Sequence, residues 1–96
     1  MNIQKMMQQA QAMQSKMQQE LEALRIEASS GGGMVSVEMS GAKEILSIKI
    51  DPACVDPSDV GTLEDLVLAA CREAARQVDE AVQKKTSAML GGMLGT

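Results

Sequence analysis

The 96-residue chain is expected to be an α+β fold with the element order α-β-β-β-α. Three observations predict it. A stretch free of Gly and Pro opens the chain over 2–23, with apolar residues at helical spacing. Three short runs of alternating apolar and polar residues follow over 24–51, parted by Gly-containing links. A second helical stripe occupies 62–89, after two Asp-Pro turns. A chain of this length is expected to be a single domain spanning 1–96.

The helix over 2–23 is built from Gln, Met, Ala, Lys and Glu, mostly good helix formers. Its apolar positions, Ile3, Met6, Ala10, Met13, Met17, Leu21 and Leu24, are three or four residues apart. That is a coiled-coil-like seam with one slip at Leu21. A small sheet cannot cover so long a seam, so Ile3, Met6, Met13, Met17 and Leu21 are assigned to a contact with a second chain.

Leu24, Ile26 and Ala28 alternate with Arg25, Glu27 and Ser29, which predicts a first strand. Gly31-Gly32-Gly33 then makes a turn. No GK[ST] follows these glycines and no helix begins there, so they are not a phosphate loop. Val35, Val37 and Met39 alternate with Ser36 and Glu38, and Leu46, Ile48 and Ile50 alternate with Ser47 and Lys49. The two runs around Gly41-Ala42 predict a hairpin, and with the first strand a three-stranded antiparallel meander. Its one apolar face must be covered.

Pro52 ends the third strand, and residues 52–61 read as a loop. Asp51, Asp56 and Asp59 lack the spacing of a calcium loop and are assigned to turns and helix starts. Thr62 with Glu64 and Asp65 has the character of a helix start. The helix to 89 carries Leu63, Val67, Ala70, Ala74, Val78 and Ala81 as its stripe, widened by Leu66, Cys71, Ala75 and Val82. Gly91, Gly92 and Gly95 end it, leaving 90–96 as a flexible tail.

Composition narrows the function. There is no Phe, Tyr, Trp or His. A binder that stacks single-stranded bases therefore has no platform, and the commonest general base and metal ligand are both missing. No nucleophile–base pair and no carboxylate pair stands out, so an enzyme is not expected, nor a small-molecule substrate or cofactor. A thioether copper site is not expected either, because no MxxM repeat is sustained. Cys54 and Cys71 form no CxxC and fit buried, inert thiols in a reducing compartment. The longest apolar run, Leu66 to Cys71, is too short to span a membrane, and no signal-peptide pattern opens the chain. A cytoplasmic protein is expected.

The net charge is −4, but its distribution is uneven. Every acid lies between Glu20 and Glu80. Residues 1–19 carry only Lys5 and Lys16, and residues 81–96 only Lys84 and Lys85. The middle sets five basic residues against thirteen acids, a net of −8. Helices of these lengths span about 33 and 42 Å, against about 20–23 Å for the strands. The helices must overhang the sheet, and connectivity makes the overhanging parts the start of the first helix and the end of the second. These are the two acid-free segments, and a two-fold dimer would present them as paired arms.

The opening MMQQAQAMQSKMQQEL, the link and strand SSGGGMVSVEMSG, the strand end IKIDP and the helix LEDLVLAACREAARQVDEAVQKK together resemble the YbaB/EbfC nucleoid-associated proteins of bacteria. The likeness covers nearly the whole chain. It implies a tweezer-like homodimer with protruding helices that binds double-stranded DNA and acts in nucleoid organisation or gene regulation. On that reading Lys5, Lys16, Lys84 and Lys85, and secondarily Arg72 and Arg76, are the phosphate contacts, which position the protein without reading sequence. Arg76 also has an i,i+4 partner in Glu80. The alternative is a protein- or peptide-binding module that uses the Met-rich arms, with Met6, Met7, Met13 and Met17 as adaptable contacts.

Overall fold

The computed structural model describes residues 2–93. The order is α1 (Ile3–Ala23), β1 (Arg25–Ser30), β2 (Val35–Ser40), β3 (Ile45–Ile50) and α2 (Val60–Met93), with short 3-10 turns at Gly31–Gly33 and Pro52–Cys54. The sheet is an antiparallel meander, β1-β2-β3. The α-β-β-β-α reading is therefore the observed architecture, and the shape is elongated. The molecule measures 69 × 27 × 16 Å, with a radius of gyration of 18.9 Å. A compact chain of this length has about 12–13 Å.

Each link has a local cause. Gly31, Gly32 and Gly33 all take positive φ (61°, 68° and 94°), a conformation strained for any residue with a Cβ. The Ser30 hydroxyl donates to the Leu66 carbonyl at 2.6 Å and pins this turn to α2. The three aspartates serve turns and helix starts. Asp51 accepts from Ala53 N–H at 2.9 Å, Asp56 from Ser58 N–H at 2.9 Å, and Asp59 from Thr62 N–H at 3.4 Å.

The core lies between α2 and the first two strands. Ala28, Val35, Val37 and Met39 are buried against Ala70, Ala74 and Val78, with Leu63, Leu66, Val67, Cys71, Ala75 and Val82 packed around them. The small residues on α2 let it approach the sheet closely, as its stripe predicts.

Four expectations are corrected. First, α2 begins at Val60, not 62, because Asp59 caps it; Thr62 lies in the first turn, and its hydroxyl donates back to Asp59 at 2.6 Å. Second, α2 continues to Met93, past the expected end at 89 and through Gly91 and Gly92. Gly91 and Gly92 weaken a helix but stop it only where the backbone turns left-handed. Residues 94–96 of the expected tail lie outside the described residues. Third, the apolar face of the sheet is covered over β1 and β2 but not over β3, where Ile48 is 45% and Ile50 40% exposed. One helix, about 10 Å across, cannot span three strands at nearly 5 Å spacing. Fourth, a bulge between Glu38 and Met39 sets Ile45, not Leu46, opposite Met39, so the inward run is Ile45, Ile48 and Ile50.

Candidate nucleic-acid interface

α1 stands off the body. Asn2 caps it by accepting from Lys5 N–H at 3.3 Å, and none of its residues is buried. Ile3 is 70% exposed, and Met6, Met7 and Met13 are exposed as well. Only Met17, Glu20 and Leu21, near its C-terminal end, are half-buried. The helix ends at Leu24, whose N–H reaches the carbonyls of Glu20 (3.1 Å) and Leu21 (3.2 Å). Gly41 seats this end. It is buried, its N–H donates to the Leu24 carbonyl at 3.2 Å, and a Cβ there would collide with the Leu21 backbone.

α2 outruns the sheet on the same arithmetic of length. Its last buried residue among those described is Val78, Ala81 and Val82 are half-buried, and 83–88 are exposed. Where α2 passes the root of α1, a groove of about 290 Å³ opens between them, lined by Met13, Lys16, Met17, Glu20 and Lys85. Its walls are apolar. Its polar groups are two ammonium ions and one carboxylate, with Lys85 Nζ lying 3.2 Å from Glu20 Oε2.

The six basic candidates are thus sorted by place. Lys16 and Lys85, far apart in sequence, share this groove. Lys84 is adjacent but lies on another side of α2, 3.6 Å from Glu80 and beside Gln83 and Ser87. Lys5 stands alone, about 16 Å along α1 from Lys16. Lys5, Lys16 and Arg72 make no ion pair among the described residues. Arg76 is held between two carboxylates, at 2.6 Å from Glu73 and 3.0 Å from Glu80. The guanidinium's hydrogen bonds hold the Glu73 carboxyl down at about 2, with help from Gln77, and the pairing raises the Arg76 pKa in turn. Arg72 and Arg76 also sit about 13–20 Å back along α2 from Lys85, beside the stretch that packs on the sheet.

The outer face of the sheet does not suit phosphate. Glu27 stands directly opposite Glu38 across β1 and β2, among Ser36, Ser47 and Lys49. Two like charges in a cross-strand pair repel each other and any anion. Of the described surfaces, the acid-poor helical arms are the ones that suit an anion.

Two features of the candidate surfaces escaped the sequence reading. One is Glu20 as the partner of Lys85, for which chain separation leaves no local signal. The other is the uncovered apolar face of β3, continuous with a groove of about 450 Å³ lined by Ile50, Leu63, Val67, Leu68 and Cys71, with Glu64 at its edge. Alternation on β3 was legible; that α2 is one helix too few to cover it was also available from the element count. Cys54 and Cys71 are free and half-buried. No cluster of three or more metal-ligating side chains occurs among the described residues, and no described helix is long and apolar enough to cross a membrane.

Comparison with known proteins follows the same line. Residues 1–93 match the sequence profile of the YbaB/EbfC DNA-binding family. A nucleoid-associated protein of Clostridium novyi is 49% identical over 96 residues, covering 97% of this chain and 84% of that protein. One from Koribacter versatilis is 47% identical over 92 residues, covering 96% and 91%. The crystal structure of the uncharacterized protein HP0035 from Helicobacter pylori superposes with a TM-score of 0.69 at 21% identity, covering 88% of this chain and 98% of that one. That likeness bears on the fold.

Proposed function

The chain belongs to the YbaB/EbfC DNA-binding family, and from that premise we propose that it binds double-stranded DNA as a homodimer and acts at the nucleoid, in DNA organisation or gene regulation. The observation that carries this reading is the separation of charge. The basic residues of the arms, Lys5, Lys16, Lys84 and Lys85, stand on stretches of chain without acids, and among the described residues only Glu20 and Glu80, the two ends of the acidic span, come within ion-pair distance of them. Phosphate contacts of this kind hold a duplex without reading bases, which suits an interface with no aromatic side chain. Arg72 is a secondary contact, and Arg76, already bracketed by Glu73 and Glu80, a weaker one.

Dimerisation is supported by the apolar face of β3. Ile45, Ile48, Ile50 and, across the groove, Leu68 form an exposed apolar patch on the body. Patches of this kind mark interfaces. The seam on α1, with Ile3, Met6, Met13, Met17 and Leu21, is the second candidate contact.

The test is binding to a labelled mixed-sequence duplex across a salt series, with the dimer confirmed by light scattering in the same buffer. Four Lys per chain, doubled, neutralise up to about eight phosphates, so log K should fall with log[salt] at a slope near about −7. Lys84→Glu with Lys85→Glu should abolish binding and leave the circular dichroism unchanged. Absence of wild-type binding at low salt overturns the reading. It would favour the alternative, a protein or peptide held by the exposed Met6, Met7 and Met13 of α1.

A further inference from the structure

The ion pair between Glu20 and Lys85 is the one salt bridge that joins α1 to α2 among the described residues. The two helices otherwise scarcely touch. Glu20 is also the first acid of the chain and the one carboxylate lining the groove that holds Lys16 and Lys85. We infer that Glu20 is a built-in competitor for DNA phosphate: in the free protein its carboxylate neutralises Lys85, and a phosphate oxygen must compete with it for the ammonium. The inference rests on the DNA-binding reading above.

The chemistry of the exchange is direct. A carboxylate and a phosphate offer an ammonium the same charge-assisted hydrogen bond. The pair is accessible, with side chains 41% and 40% exposed, so it is weak and a phosphate can reach it. Met13 and Met17 wall the groove and offer Lys85 no other acceptor. A phosphate that arrives while Glu20 is in place meets a negative charge about 3 Å from the ammonium it seeks. Removing that charge helps the phosphate twice, by freeing Lys85 and by ending the repulsion. Lys16 on the same groove is then ready as a second cation for the same phosphate or its neighbour.

The two roles open to Glu20 make opposite predictions. As a brace that merely orients α1, it would aid binding, and its loss would weaken binding at every salt concentration. As a competitor, its loss strengthens binding, and the gain fades as salt screens the groove. Duplex affinity is therefore measured from low to moderate salt for the wild type, Glu20→Gln, Lys85→Gln and the double variant. The expected result is binding about 1.5- to fivefold tighter per groove for Glu20→Gln at low salt. The gain should shrink with added salt and be clearly smaller in the Lys85→Gln background, where only the relief of repulsion remains; an equal gain in both backgrounds would overturn the competition for Lys85. Equal or weaker binding by Glu20→Gln, with the wild type binding, overturns the inference and leaves the DNA reading standing. If neither protein binds at low salt, the DNA reading falls and takes the inference with it.

A second readout needs no affinity. In protein labelled with 13C-methyl methionine, Glu20→Gln should shift the Met13 and Met17 signals, and DNA added to the wild type should move them the same way. Met13 and Met17 signals indifferent to both perturbations would overturn the inference.

Discussion

Replacing Gly41 by Ala tests whether the α1 arm is aimed by its root. A methyl at this position would lie 3.1 Å from the Leu21 Cα and carbonyl carbon, and nearer still to the carbonyl oxygen. These are backbone atoms, so no side chain can turn aside. Clearing them takes a shift of roughly 1 Å at Leu21. Leu24 is the fixed point, because its carbonyl accepts from Gly41 N–H. It is about 4.5 Å along the chain axis from Leu21, so a shift of about 1 Å swings the helix by about 13° and carries Ile3, some 31 Å away, by about 7 Å. Glu20, next to Leu21, would be drawn from Lys85. Overpacking costs about 1–3 kcal/mol, offset by about 0.4–1 kcal/mol from the stiffer unfolded chain. The mid-range net cost is about 1.3 kcal/mol, and at about 4–8 °C per kcal/mol for a domain of this size the melting temperature should fall by roughly 5–10 °C. The assay is thermal unfolding at fixed protein concentration, with Met13 and Met17 methyl signals as the monitor of the groove. A Gly41→Ala protein that melts with the wild type and leaves those signals in place would refute the packing argument.

Three further outcomes are expected. Ile48→Asp puts an unpaired carboxylate on the β3 patch and should raise the dimer dissociation constant by at least about tenfold in analytical ultracentrifugation; Met13→Glu, on the arm, should leave the dimer in place, and the reverse pattern would move the interface to the α1 seam. Asp59→Ala removes the cap of α2 and should cost about 1 kcal/mol in urea unfolding, with little change in the slope. Glu73 is held at about 2, below its ordinary 4.5, by Arg76; a carboxyl depressed in the folded state stabilises fully above the ordinary value and loses that contribution as the pH falls towards 2. Glu73→Gln should therefore be less stable than the wild type at pH 7, and the gap should close between about pH 4.5 and 2.

Much of the architecture was legible because local and global signals agree. The alternation in Val35–Met39, the three glycines with positive φ and the Ala-rich stripe of α2 each act through near neighbours, and each reappears in the structure. The acid-free ends were legible too, because helix length against strand length decides what projects. What escaped depends on how many elements cover a face and on which residues meet across the fold. Ile48 and Ile50 alternate as faithfully as Val35 and Val37, yet they stay exposed, because α2 sits over β1 and β2. The bulge beside Met39, which exchanges Ile45 for Leu46, follows the pairing of two strands and has no mark in either alone. Gly41 looked like an ordinary turn glycine; its need comes from Leu21, which arrives from another element. The pairing of Lys85 with Glu20 is of the same kind.

An acidic chain that holds DNA must limit how far its acids reach the phosphates; Glu20 and Glu80 lie beside Lys85 and Lys84, but the tip of α1 stands clear of them. Lys5 stands about 22 Å along α1 from Glu20, the first acid. The Debye length is about 8 Å at physiological salt and about 30 Å at 0.01 M. At physiological salt Glu20 is nearly three screening lengths from the arm tip at Lys5; at 0.01 M it is within one. Lowering the salt therefore has two opposed effects. Counterion release strengthens the Lys–phosphate contacts along a straight line in log[salt], while the −8 of the body begins to repel the duplex the arms hold. The expected plot is straight near 0.1–0.2 M and bends towards weaker binding below roughly 0.03 M. A uniformly basic protein would show no such bend. Titrations on one duplex from 0.01 to 0.2 M salt decide it, and a line that stays straight to the lowest concentration would mean that the acidic body plays no part in the field the DNA meets.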